Sequence, residues 1–251
     1  MALTDYLITG LSYLIRKNKR KLIKEAISFN HQTGIEIGGP SDLFKLKGQL
    51  PIYLFASRVD GVNFSSSTIW EGQLKEGEYY QYYVNKIGHQ YIAEASELDF
   101  VSDDQYDFVL SCHSLEHVAN PLKAIMGWKR IIKTGGKLAL VLPDKEYTFD
   151  IKRPYTQFEH LLDDYQRNTP ETDNTHFEEV IDLHDFTRDG FLQSKVDLEK
   201  RTMLNLENRA VHHHVFSLKL VAEMLEWAGF EIIWQQTAAP HHLITIARKK
   251  A

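Results

Sequence analysis

Short apolar runs alternate along this chain with segments of helical periodicity, and glycine or proline stands at most of the junctions. Such an alternation predicts an α/β fold with a largely parallel sheet. Its clearest unit begins at Tyr106-Asp-Phe-Val-Leu-Ser-Cys112, an apolar run after the turn-prone Ser102-Asp-Asp104, as a strand covered on both faces should be. Pro121 to Ile132 then places Leu122, Ile125, Met126 and Ile131 at helical spacing, with Lys and Arg near its end, and Gly135-Gly136 stops it. Lys137-Leu-Ala-Leu-Val-Leu-Pro143 reads as the next strand, so the whole unit predicts a right-handed crossover.

Thr33-Gly-Ile-Glu-Ile-Gly-Gly-Pro40 reads as a buried strand entering a tight glycine turn, with a second strand around Val59 to Phe64 and a third over Gln90 to Ala95. Near the end, Ser217 to Ala228 is an amphipathic helix capped by Gly229. The strands Phe230 to Gln236 and Leu243 to Arg248 follow, joined by Thr237-Ala-Ala-Pro240 as an antiparallel hairpin at a sheet edge. Between Asp144 and about Val211 the pattern breaks down into polar, acid-rich sequence with helical pieces at Gln157 to Tyr165 and Phe177 to Leu183. So long a segment is expected to be a lid or substrate-binding insertion. A chain of 251 residues, 43% hydrophobic, buries one substantial core and an elaboration. The expectation is a single domain over 1–251, with an N-terminal helical segment over 1–30 and the insertion over 144–211.

A net charge of −5 gives no global field that draws the protein to nucleic acid. Cys112 is the lone cysteine, which rules out an intramolecular disulfide and suits a reducing, cytoplasmic setting. Leu3 to Ile15 is fairly apolar, but the cations Arg16 to Lys21 follow it, the wrong order for a signal peptide, and the run is too short to cross a bilayer. A helix carrying Leu7, Leu11, Leu14, Ile15, Leu22 and Ile23 either caps the core with a solvated basic face or makes peripheral contact with an anionic membrane.

Ile35-Glu-Ile-Gly-Gly-Pro-Ser41 is the first site-like feature. Gly38 and Gly39 leave no side chain between the strand end and a ligand, so a nucleoside-bearing cofactor can lie against the backbone. A dinucleotide loop would add a third glycine after Gly39, where this chain has Pro40 and Ser41. Glu36 supplies negative charge that an ammonium or sulfonium could use, which a pyrophosphate site would avoid. A plain glycine turn ending a core strand is the alternative.

Taken with that turn, Glu94-Ala-Ser-Glu-Leu-Asp-Phe100, Phe108 to Val118, Asn120-Pro121, Trp128 to Leu138 and Glu226-Trp-Ala-Gly-Phe230 resemble, in order and spacing, the class I S-adenosylmethionine methyltransferases. The likeness runs from about Thr33 to Arg248 and extends to bacterial methyltransferases of polysaccharide and capsule gene clusters, which share the Glu-Ile-Gly-Gly-Pro and His-His-His-Val-Phe signatures. It implies a Rossmann-like, mostly parallel seven-stranded sheet with an antiparallel last strand and a helical insertion after the fifth strand. It further implies S-adenosylmethionine near Glu36, Gly38, Gly39 and Pro40, its ribose near Asp60, and its adenine near Glu94, Ala95, Ser96 and His113.

His113-Ser-Leu-Glu-His117 is the second constellation. At a helix start, residues at i, i+3 and i+4 share a face, so His113, Glu116 and His117 are expected to converge. Two imidazoles and a carboxylate suit Mn²⁺, Fe²⁺ or Zn²⁺ better than Mg²⁺. Small-RNA 3′-terminal ribose methyltransferases resemble this chain here, and their His-x-Phe element looks like His214-Val-Phe216, although they carry an acid where this chain has His113. The resemblance implies a metal set of His113, Glu116, His117 and His214, with His117 and Glu116 catalytic and Mn²⁺ the first candidate. In metal-free relatives the equivalent histidine acts as a base or simply packs.

His176 and His184 are expected on one face of a helix, and Arg153, Arg167, Arg188, Arg201 and Arg209 could clamp one phosphate. A small-molecule acceptor follows: a sugar, a sugar nucleotide or a phosphorylated or phosphoramidate capsule precursor. An RNA ribose O-methyltransferase and a non-catalytic cofactor-binding protein are the alternatives.

Overall fold

The computed structural model describes residues 17–251, so the expectations for Leu3 to Ile15 lie outside the described residues. The described chain divides into two compact units, residues 17–94 with 106–112 and residues 95–105 with 113–251.

The first unit opens with α1 (Lys17–Ile27), where Leu22, Ile23 and Ala26 are buried while Arg20, Lys21 and Lys24 face outward. Five strands follow in the order β5-β6-β2-β1-β7: β1 (Thr33–Ile37), β2 (Arg58–Asn63), β5 (Gly77–Tyr83), β6 (Lys86–Ile92) and β7 (Tyr106–Cys112). A small ribbon, β3 (Ser67–Thr68) with β4 (Gly72–Gln73), stands apart from them, and a short helix α2 (Ile52–Phe55) precedes β2. Parallel pairing sets Ile35 against Asp60 and Val109, which buries β1 between two apolar neighbours. β6 joins β2 in parallel through Gly61↔Gln90, and β5 folds back antiparallel on β6. Gly61 admits the Tyr80 ring, whose atoms would stand 2.2 Å from a Cβ at that position. A bulkier residue would push Tyr80 out of the unit.

In the second unit, α3 (Pro121–Ile131) starts where Asn120 caps it, its side chain accepting from the Lys123 N–H (3.0 Å), with Pro121 in the first turn. β8 (Ile132–Pro143), β10 (His242–Lys249) and β9 (Phe230–Ala238) form an antiparallel sheet in that order. β8 begins directly after α3 and runs through Gly135-Gly136, so those glycines sit inside the strand and do not separate helix from strand. Ser217 caps α8 (Leu218–Trp227), which leads into β9. The insertion holds α4 (Phe158–Arg167), α5 (Phe177–Leu183), α6 (Lys195–Met203) and α7 (Asn205–Asn208).

With the β3–β4 ribbon set aside, the expected seven strands are eight among the described residues, five in the first unit and three in the second, because β5 pairs with β6 in a hairpin. None of the described helices is long and apolar enough to cross a membrane.

Candidate functional site

In the first unit, β1 carries Glu36 to the glycine turn and buries it completely. Its Oε1 accepts from the Ser41 hydroxyl (2.6 Å) and the Ser41 N–H (3.2 Å). Its Oε2 accepts from the hydroxyls of Tyr80 (2.6 Å) and Tyr53. Burial pushes the Glu36 carboxyl up to about 7, while the Ser41, Tyr53 and Tyr80 hydrogen bonds pull it back. Four donors match what a carboxylate can accept, so Glu36 braces the turn. Gly38 and Gly39 adopt φ of +72° and +106°. A Cβ on Gly39 would stand 2.5 Å from Glu36 Oε1 and 2.9 Å from the Tyr80 hydroxyl, so only glycine allows this bracing. Pro40, half-buried, completes the turn.

Asp60 sits in the middle of β2 and not at its carboxyl end. It accepts from Arg58 Nε, the His89 N–H and the Tyr106 hydroxyl, each at 2.8 Å, so its oxygens are engaged within the sheet. Asn63 holds the strand end instead, donating from Nδ2 to the Gly39 carbonyl (3.2 Å). Glu94 lies just past β6, half-buried.

In the second unit, Ala95 and Ser96 are half-buried, and the Ala95 carbonyl accepts from Trp128 Nε1 (2.8 Å). His113 to His117 do not open the long helix. Leu115–His117 is a single 3-10 turn, and α3 starts only at Pro121, so the α-helical i, i+3, i+4 face does not exist there. His113 takes φ +52° and sets its Nε2 2.9 Å from His242 Nδ1, with its ring edge-on to His241. Its Nδ1 is 3.9 Å from Glu116 Oε1, beyond hydrogen bonding.

Glu116 is fully buried, and neither carboxylate oxygen has a hydrogen-bond partner. Its carboxylate shares a group with His117 and His212, whose ligand-capable atoms all lie within 4.8 Å of one another. His117 Nδ1 is 3.0 Å from the Val211 carbonyl, which makes Nδ1 the protonated nitrogen and leaves Nε2 with the lone pair. His212 Nδ1 meets Asp150 Oδ2, and Asp150 is in turn paired with Arg153 Nη1 (2.9 Å). Arg153 also donates to the His212 carbonyl (2.8 Å) and the His213 carbonyl (3.1 Å), fixing the extended 212–214 run beside the 3-10 turn, where the His213 N–H reaches the Glu116 carbonyl (2.8 Å).

Burial pushes the Glu116 carboxyl up to about 7 against the pull of His212. Burial and His212 hold His117 down to about 3. Burial works against charge on His212 too, but Asp150 and Glu116 outweigh it and raise His212 overall. An orphaned carboxylate grouped with two imidazoles, each hydrogen-bonded through Nδ1, offers donor types that a divalent cation could take.

His214 does not join Glu116 but groups with His160, Asp164 and His176. The four expected metal ligands are thus spread over three groups: His113 with His241 and His242, Glu116 and His117 with His212, and His214 with the insertion. His176 and His184 do not share a helix face either, because α5 spans only the residues between them. His184 turns to Asp189 (3.0 Å). Among the insertion arginines, Arg153, Arg167 and Arg209 pair with carboxylates and Arg188 donates to the Glu146 carbonyl.

The methyltransferase domain family matches residues 13–235. No curated protein sequence matches the chain. Among solved structures, a putative methyltransferase from Bacillus halodurans is 11% identical, with 93% of this chain and 99% of that one covered at a TM-score of 0.53. A putative S-adenosylmethionine-dependent methyltransferase from Listeria monocytogenes is 16% identical, covering 93% and 98% with a TM-score of 0.52. An S-adenosylmethionine-dependent methyltransferase from Mesorhizobium loti is 13% identical, covering 92% and 96% with a TM-score of 0.53. At such identities the likeness is one of fold.

Proposed function

Because the chain belongs to the methyltransferase domain family, as an S-adenosylmethionine-dependent methyltransferase, we propose that it methylates an oxygen of a small polar acceptor with the help of a divalent cation held by Glu116, His117 and His212. The observation that carries this reading is Glu116, a fully buried carboxylate with both oxygens unpartnered beside two imidazoles. A buried charge left without partners is costly, and a cation is the group this donor set fits. When bound, it would lower the acidity barrier of an acceptor hydroxyl.

Glu116 would supply the anionic ligand, and His117 and His212 would each present Nε2. Asp150 would orient His212, and the Val211 carbonyl would orient His117. A base with its pKa held near 3 is poorly matched to neutral pH, which favours ligation by His117 over proton abstraction. S-adenosylmethionine supplies the sulfonium methyl, and Gly38, Gly39, Pro40 and Asn63 would form its cradle in the first unit.

The acceptor class extends the capsule-type likeness: a sugar, a sugar nucleotide or a phosphorylated or phosphoramidate precursor. Methyl transfer to sugar hydroxyls, assayed with chelated enzyme, tests the reading. Turnover should vanish in excess EDTA and return with Mn²⁺ more fully than with Mg²⁺. Full turnover in EDTA overturns it.

A further inference from the structure

We propose that His160, Asp164, His176 and His214 form a second, four-ligand metal site of the zinc class, which ties the insertion together and is distinct in every residue from the Glu116 group. His160 and Asp164 lie one turn apart on α4, His176 directly precedes α5, and His214 comes from the extended run before α8. Their ligand atoms all lie within 4.8 Å of one another. His160 Nε2 is 3.1 Å from His176 Nε2 and 3.4 Å from Asp164 Oδ2, and His214 Nε2 is 3.1 Å from the same oxygen. A tetrahedral zinc ion with bonds of about 2.0–2.1 Å holds its ligand atoms about 3.3 Å apart, so these separations are those of its edges.

The surroundings aim the donors inward. Thr169 Oγ1 donates to Asp164 Oδ1 (3.0 Å), leaving Oδ2 to the histidines. Two Nε2 atoms facing each other at 3.1 Å can share only one proton, whereas a cation satisfies both lone pairs. Three imidazoles and one carboxylate select zinc or cobalt over magnesium or calcium. His214 is buried, and the side chain of His160 is 42% exposed, which opens a route for the ion from solvent.

Four protein ligands leave no open position, so the role is structural. The ion would join α4, the start of α5 and the run that also bears His212, and so would stabilise the segment on which the first site depends.

The test uses the full chain, stripped by chelation and titrated with Co²⁺ while visible absorption is followed. The intense bands of tetrahedral Co²⁺ should saturate at one equivalent and persist in His212→Ala, whose loss belongs to the other group. They should be lost in His160→Ala, a substitution at an exposed position, and in His176→Ala. Zinc should raise the melting midpoint of the wild type and of His212→Ala, and leave that of His160→Ala unmoved. No tetrahedral spectrum in the wild type, or an unchanged spectrum in both His160→Ala and His176→Ala, overturns the proposal and leaves the four residues as a hydrogen-bonded cluster.

Discussion

Two glutamates are fully buried in this protein, one in each unit, and burial pushes both carboxyls up to about 7. Around Glu36 the chain arranges four donors, from Ser41, Tyr53 and Tyr80. Around Glu116 it arranges none, but sets two imidazoles beside the carboxylate and orients each of them from behind. The same desolvation thus accompanies opposite surroundings. A carboxylate that the fold satisfies is part of the scaffold. One that the fold buries and leaves unsatisfied is where the proposed cation would bind.

The largest effect should come from removing that second carboxylate. Glu116→Gln should lower turnover by about 10²–10³, the size of losing one group that stabilises transition-state charge. S-adenosylhomocysteine affinity should stay near wild type. Steady-state kinetics with calorimetry reads both, and equal losses of turnover and cofactor binding would erase the contrast between the two glutamates. Next in size is Asp150→Asn, which removes the carboxylate orienting His212 and should weaken Mn²⁺ binding by about 10–100-fold. Unchanged Mn²⁺ affinity in that variant would mean His212 is not a ligand.

The two glutamates should also diverge in stability. In metal-free protein at pH 8, Glu36→Gln turns an amide N–H₂ toward existing donors and should destabilise by about 1–3 kcal/mol. Glu116→Gln removes an uncompensated buried charge and should stabilise. Denaturant midpoints read this directly, and a shared sign would break the comparison.

A smaller effect follows from pH. Both carboxyls have folded-state pKa values raised from 4.5 to about 7, so the folded state binds more protons than the unfolded one across that window. Metal-free stability should therefore fall as pH rises from 4.5 to 7. Glu116→Gln should reduce that slope, and bound Mn²⁺ should do the same. A slope identical in all three would show that Glu116 titrates normally.

Much of the scaffold was legible from local signals. The run at β7 is largely apolar, Glu36 and the glycine turn end β1, Asn120-Pro121 starts α3, and Ser217 with Gly229 brackets α8. The β5–β6 hairpin was not, because Gly88 and His89 look like a turn while they lie inside β6, and the strand expected from Gln90 begins at Lys86. Glu116 and His117 were named as candidate donors from the sequence, whereas their grouping with His212 was not legible. The i, i+3, i+4 rule failed for His113 because that residue takes a left-handed backbone and the helix waits for Pro121. His212, Asp150 and Arg153 meet Glu116 only through tertiary packing, and adjacency in the His212-His-His214 run does not reveal that His212 and His214 belong to different groups.

Anomalous diffraction at the manganese edge, from crystals of the stripped chain soaked in Mn²⁺, asks most directly whether Glu116 is held for a cation. The expected result is a peak bonded to the Glu116 carboxylate and to Nε2 of His117 and His212. No peak there, with the carboxylate still unpartnered, or a peak bound by His113, His241 and His242 instead, would contradict it.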